Sequence, residues 1–146
     1  MLLPELSKWN DGTGISAIDW IALVGHFDHF IGYASLLWPR FVVHDNRIFL
    51  ADLFEKARYE DMKGTSEEPH HGQLFMNTID LASFFKAAKS EATHEQLMFL
   101  ATTLTEAWIS KASAAFPTRL FKVVIDDRLH EKGVGELLIS MYETTA

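Results

Sequence analysis

The chain has 146 residues, of which 48% are hydrophobic and 23% charged, with no cysteine and a formal net charge of −7. Length and composition predict one globular domain over residues 1–146, and they argue against a disordered chain, disulfides and cysteine-ligated zinc. The negative charge and the scattered Lys and Arg residues argue against a nucleic-acid partner, because the phosphate backbone would be repelled.

The N-terminus and segment 16–38 indicate where in the cell the protein is expected. Met1 to Glu5 lack a basic region followed by a long apolar stretch, so no signal peptide is expected. Segment 16–38 is mostly apolar, but it contains two Asp and two His residues, which are costly at bilayer depth. We therefore expect a cytoplasmic protein without a membrane partner.

Segment 16–38 predicts an unbroken central helix. Ser16 is suited to the N-cap, with Asp19 three residues later, and Pro39 ends the helix after about Leu37. At 3.6 residues per turn, one face is polar and the remainder is apolar. Members of that polar face follow one another at spacings of three or four: Asp19, Ala22, His26, His29 and Tyr33.

Two glycines, Gly25 and Gly32, lie seven residues apart on one flank of this predicted helix. Because glycine costs about 1 kcal/mol relative to alanine inside a helix, the pair indicates either close approach of another backbone or simple tolerance.

The next elements are a hairpin and a short helix. Two apolar runs within 41–50 flank Asp45 and Asn46, a pair suited to a two-residue turn. Asp52 with Glu55 predicts a capped helix that continues to about Lys63. A polar loop is expected over 65–71.

Two further helices are predicted, over 72–89 and from Thr93 to Ala115, where Thr93 and Gln96 form a capping box. Segments 120–125 and 137–142 alternate in hydrophobicity, which favours a C-terminal hairpin near 119–142. A closing helix over 134–143 is the alternative. The fold class expected is α+β, with about four helices and a small antiparallel β component near 41–50 and 119–142.

The polar face of the first helix is the main candidate metal site. His26 and His29 could present two imidazole nitrogens to one divalent metal, with Asp19 as a third ligand or with a distant histidine. The alternative is structural, with each ring hydrogen-bonded to Asp19 or Tyr33.

Three other motifs lack the context that their chemistry requires. Glu67 to His71 contains two Glu-x-x-His spacings, but Pro69 places them in a loop. Residues 12–17 match Gly-x-Gly-x-x-Ala without the preceding strand of a dinucleotide site. The pair His44-Asp45 is similar to the dipeptide of helical metal phosphohydrolases, yet it falls at a predicted turn.

Aromatic residues are concentrated in the first third of the chain, and most of them are expected in the core. Tyr33, Trp20 and Trp38 are the candidates for a ligand or interface role. The leading hypothesis is a non-enzymatic interaction module that binds another protein and forms a homo-oligomer. An inhibitor or immunity-type protein that binds a basic effector is its concrete version.

Two other functions are retained. One is a metal-binding protein or metal-dependent enzyme that uses His26 and His29, and the other is a small-ligand protein with an aromatic pocket. Whether the chain is an enzyme is left open. No cofactor is expected outside the metal hypothesis.

Overall fold

The structure, a computed structural model, describes residues 1–68 and 70–145. The chain divides into two compact units, Met1–Leu36 and a second unit that begins at Leu37. The predicted α+β class, with two small antiparallel sheets, is confirmed. The expectation of one domain stays a prediction.

The first unit contains a short 3₁₀ helix, Pro4–Lys8, and the helix α1, Ala17–Val24. A second helix, α2, spans Phe27–Leu37 and begins in this unit. The N-cap prediction is confirmed, because the Asp19 N–H donates to Ser16 Oγ at 3.1 Å. The prediction of one unbroken helix is wrong, since Gly25 and His26 separate α1 from α2.

The break falls at Gly25, where the local geometry leaves no room for a side chain. Its backbone is extended, with ψ 159°, and its N–H donates to the Ile21 carbonyl at 2.8 Å. A Cβ added here would lie only 2.4 Å from the same carbonyl oxygen. The close approach expected at Gly25 is therefore to its own preceding turn, whereas a Cβ at Gly32 would meet no atom within 4 Å.

The second unit opens with a hairpin of β1, Phe41–His44, and β2, Arg47–Leu50. His44 pairs with Arg47 across the turn, as the sequence predicts. Asp45 and Asn46 have φ values of 48° and 57°. Positive φ at both central residues is the signature of the type I′ turn, whose twist matches that of the strands.

A three-stranded antiparallel sheet forms the centre of the second unit. Its strands are β3, Thr78–Asp80, β4, Leu120–Arg128, and β5, Glu136–Thr144, in the order β3-β5-β4. The predicted C-terminal hairpin is confirmed, and the alternative helix over 134–143 is wrong.

The second unit also contains α3, Lys56–Met62, α4, His71–Met76, and α5, His94–Ala115. The capping box of α5 is confirmed, because Gln96 N–H donates to Thr93 Oγ1 and Thr93 N–H donates to Gln96 Oε1. The expected cap at Asp52 is wrong, since α3 begins only at Lys56.

The helix predicted over 72–89 is also wrong. After α4 ends at Met76, the chain extends into β3, where Ile79 pairs with Ile139 of β5. A 3₁₀ turn, Leu81–Ser83, follows. Pairing with β5 satisfies the backbone groups of this short stretch and buries Ile79, so tertiary contacts override the helical spacing.

The predicted loop over 65–71 ends where α4 begins, and Pro69 lies outside the described residues.

The buried core lies in the second unit. The largest fully buried hydrophobic side chains are Trp108 of α5, Ile48 and Phe49 of β2, and Leu137, Ile139 and Met141 of β5. Neither α1 nor α2 contains a buried residue among those described. The expectation of a central core helix over 16–38 is therefore wrong.

Candidate functional site

The most unusual surface is that of α1 and α2, here called the apolar arm and defined as residues 17–37. Every residue from 21 to 35 is exposed. Large apolar side chains are among them, with exposed fractions of 86% at Phe27, 63% at Ile31 and 61% at Phe30. Isolated surface apolar residues are ordinary, but a contiguous set marks an interaction site.

The charge of this surface has one sign. No Lys or Arg occurs between Lys8 and Arg40, whereas the same stretch contains Asp11, Asp19 and Asp28. All three aspartates are exposed. Within this stretch of sequence the acidic residues are therefore not balanced by any Lys or Arg, and it also contains His26 and His29.

The predicted polar face is partly retained despite the break between the helices. The rings of His26 and His29 lie 5.4 Å apart in an edge-to-face arrangement, and the ring of Tyr33 follows at 6.3 Å from His29. The carboxylate of Asp19 accepts a hydrogen bond from Ser16 Oγ at 2.7 Å. The structure thus brings the two imidazoles together and places Asp19 at the start of α1.

The two candidate tryptophans differ in exposure. Trp20 is half-buried, and Trp38 is 52% exposed. Lys111 Nζ lies 5.1 Å from the centre of the Trp38 ring, a cation–π contact within the second unit. This contact gives Trp38 a structural partner, which its position in the sequence did not indicate.

An open groove of about 760 Å³ lies within the first unit. Its walls are the N-terminal residues, the turn at Asn10 and the start of α1, with Leu3, Leu6, Ile15 and Asp19 among them. The described residues that line it include no aromatic side chain. It is therefore not the aromatic pocket that the ligand hypothesis requires.

A polar cluster occupies the tip of the β1–β2 hairpin and the adjacent helix α3. We call His44, Asp45, Glu60 and Lys63 the hairpin cluster. His44 Nε2 lies 3.1 Å from Glu60 Oε1 and 3.8 Å from Asp45 Oδ1. On the other side of the carboxylates, Lys63 Nζ lies 2.6 Å from Glu60 Oε2 and 3.1 Å from Asp45 Oδ2.

The electrostatics of the hairpin cluster follow from these contacts. Hydrogen bonds from Lys63 and then from His44 lower the pKa of Glu60. Hydrogen bonds to Glu60 and Asp45 raise the pKa of Lys63. Glu60 therefore stays ionised and Lys63 stays protonated near neutral pH.

The position of His44 is fixed by aromatic packing. Its ring lies 5.3 Å from that of Phe54 and 5.4 Å from that of Tyr59, and its side chain is 21% exposed.

Asp45 also lines a cleft of about 570 Å³, where the rings of His70 and Tyr142 are stacked 4.7 Å apart.

Within the described residues, His44, Asp45 and Glu60 are the one set of three potential metal ligands whose ligand atoms all lie within 4.8 Å of one another. His44 and Asp45 form a recognisable pair in the sequence, but Glu60, sixteen residues from His44, was not predicted to join them. The only available signal was the i,i+3 spacing of Glu60 and Lys63 on a predicted helix.

The chain matches no known protein family, no curated protein and no solved structure. In the described part of the chain, no helix is both long enough and apolar enough to cross a membrane.

Proposed function

We propose that this protein is a non-enzymatic protein-interaction module that binds its partner through the apolar arm. The observation that carries the proposal is the exposure of every residue from 21 to 35, including Phe27, Phe30 and Ile31. A helix that is apolar around most of its circumference is normally buried, so the exposed apolar side chains of the arm favour burial against a partner.

Charge indicates the chemistry of the partner. Asp19 and Asp28 lie in the arm and Asp11 precedes it, with no Lys or Arg between Lys8 and Arg40, so a partner with an apolar groove and a basic rim is complementary to it. A second copy of the chain would bring the same carboxylates and is repelled at the rim. An inhibitor or immunity-type role toward a basic effector is the concrete form of this proposal.

The same charges argue against a lipid surface. Helices that lie in the membrane interface normally carry Lys and Arg on their polar face, which attract anionic headgroups. The apolar arm has neither residue. Its only acidic residues are Asp19 and Asp28, and its only basic side chains are His26 and His29, so an anionic bilayer is the less complementary occupant.

Selection from a random peptide library displayed on phage tests this proposal. We expect enriched peptides that combine large apolar residues with Lys or Arg. The double variant Phe27→Ser/Phe30→Ser should lose this binding. The matched control is Phe99→Ser on α5, which removes a side chain that is 52% exposed outside the arm and should leave binding unchanged.

Two companion measurements separate the other occupants. Self-association in sedimentation that Phe27→Ser abolishes would replace the proposed partner with a second copy. Partition onto vesicles of phosphatidylserine and phosphatidylcholine that the same variant abolishes would replace it with a membrane. Binding that Phe99→Ser removes while Phe27→Ser/Phe30→Ser retains it would move the interface away from the arm.

A further inference from the structure

We propose that His44, Asp45 and Glu60 bind a divalent transition metal, with zinc as the best match, at the tip of the β1–β2 hairpin. This site is separate from the apolar arm and does not depend on the proposed function.

The ligand chemistry suits zinc. Imidazole nitrogen and carboxylate oxygen are both zinc ligands, with bond lengths of about 2.0 to 2.2 Å. In a tetrahedral arrangement, such bonds place ligand atoms about 3.3 Å apart. The distances from His44 Nε2 to Glu60 Oε1 and Asp45 Oδ1, 3.1 and 3.8 Å, bracket this value. Because all three ligand atoms lie within 4.8 Å of one another, side-chain rotation can bring them to this spacing.

Three different constraints hold the ligands in place. Phe54 and Tyr59 pack against the ring of His44. The type I′ turn fixes the backbone of Asp45, and α3 fixes that of Glu60. These constraints, with the ion pairs that Lys63 makes to both carboxylates, lower the conformational entropy that metal binding has to remove.

Lys63 occupies the outer side of both carboxylates rather than the place of the metal. Its Nζ contacts Asp45 Oδ2 and Glu60 Oε2, while the facing oxygens, Oδ1 and Oε1, are directed to His44. In zinc sites, groups that are hydrogen-bonded to a ligating carboxylate orient that carboxylate toward the metal in the same way. Three protein ligands leave a fourth position for water beside the cleft that Asp45 lines.

A calorimetric titration with zinc of the protein without a histidine tag tests the proposal. We expect one zinc ion per chain, a rise in the melting temperature, and at least about a tenfold loss of affinity in both His44→Gln and Glu60→Gln, because each lacks a direct ligand. The matched control is His94→Gln. This histidine also contacts a carboxylate, with Nε2 2.7 Å from Asp127 Oδ2, but no third ligand completes a set there in the described residues.

NMR of the wild-type imidazoles provides a second readout that does not depend on how the variants fold. Zinc should shift the His44 ring nitrogens first, and cobalt(II) at the same site should give the intense visible absorption of four-coordination. Absence of binding to the wild type overturns the proposal. So does binding that His94→Gln removes, or binding that shifts the rings of His26 and His29 while that of His44 is unaffected.

Discussion

Gln73 and Glu143 form a reciprocal pair that joins α4 to β5. Gln73 Nε2 donates to Glu143 Oε2 at 2.7 Å, and the Glu143 N–H donates to Gln73 Oε1 at 3.0 Å. The same carboxylate accepts from the Ile48 N–H at 3.0 Å and from Arg119 Nη1 at 2.7 Å. The Glu143 carboxylate thus connects β2, α4 and Arg119, the residue before β4. Its hydrogen bonds therefore hold these parts of the second unit together.

Gln73→Leu should lower the free energy of unfolding by about 2 to 3 kcal/mol, because it leaves the Glu143 N–H without its acceptor in a partly buried site. Urea denaturation monitored by Trp fluorescence measures the change. Glu106→Gln, on the exposed side of α5, is the control and should change the value by less than about 0.5 kcal/mol. Equal stability of Gln73→Leu and wild type would contradict the structural role given to the pair.

Thr93→Ala should destabilise the second unit by about 1 kcal/mol, because the Gln96 N–H loses its capping acceptor at the start of α5. Thr102→Ala removes the same atoms from an exposed position within the helix, where alanine has the higher helix propensity. Thermal unfolding of the two variants should therefore shift in opposite directions. A parallel shift would show that the loss comes from the residue type and not from the cap.

Gly25→Ala and Gly32→Ala should have different effects on the apolar arm. A Cβ at Gly25 meets the Ile21 carbonyl oxygen, so the backbone of residues 21–26 must move, and their amide NMR shifts should change. At Gly32 no atom blocks the methyl group, and helix propensity improves by about 1 kcal/mol. Helical circular dichroism should increase in Gly32→Ala. Unchanged shifts of residues 21–26 in Gly25→Ala would contradict the described break.

The pKa of Asp127 should lie below the ordinary aspartate value, because a hydrogen bond from His94 and then the Leu129 N–H stabilise the carboxylate, with a smaller contribution from the charge of His130. A folded-state pKa below the unfolded value stabilises the fold above the unfolded pKa, and this contribution is lost as the pH falls through the folded pKa. His94→Leu should raise the titration midpoint of Asp127 in carbon-detected NMR. A midpoint that does not respond to His94→Leu would remove His94 as the main cause.

Local chemistry was sufficient to predict several elements. Asp45 and Asn46 accept positive φ, so the turn between β1 and β2 could be placed from the sequence. Thr93 and Gln96 located the start of α5 to the residue. Alternation over 120–125 and 137–142 predicted the C-terminal hairpin, because strand faces repeat every two residues.

Elements that depend on distant contacts could not be predicted in this way. The strand β3 exists because Ile79 pairs with Ile139, sixty residues later, and its own spacing is that of a helix. The break at Gly25 is hidden in an apolar run that continues on both sides. Hydrophobicity over 17–37 predicted burial, whereas the structure exposes every residue from 21 to 35, so composition alone cannot distinguish a buried helix from an exposed one.

The candidate sites were predicted to different extents. His26 and His29 were expected side by side, and their rings are adjacent because the i,i+3 spacing persists across the start of α2. Whether they bind a metal stays a prediction. Glu60 joins His44 only through the packing of α3 against the hairpin tip, a contact that no sequence spacing encodes.

Hydrogen exchange of the wild-type protein, with and without a saturating peptide from the phage selection, tests the central role of the apolar arm most directly. We expect the peptide to protect amides of residues 17–37, with little change at the sheet of β3, β4 and β5. Protection confined to the second unit beyond Leu37, with unchanged exchange in the arm, would contradict the account.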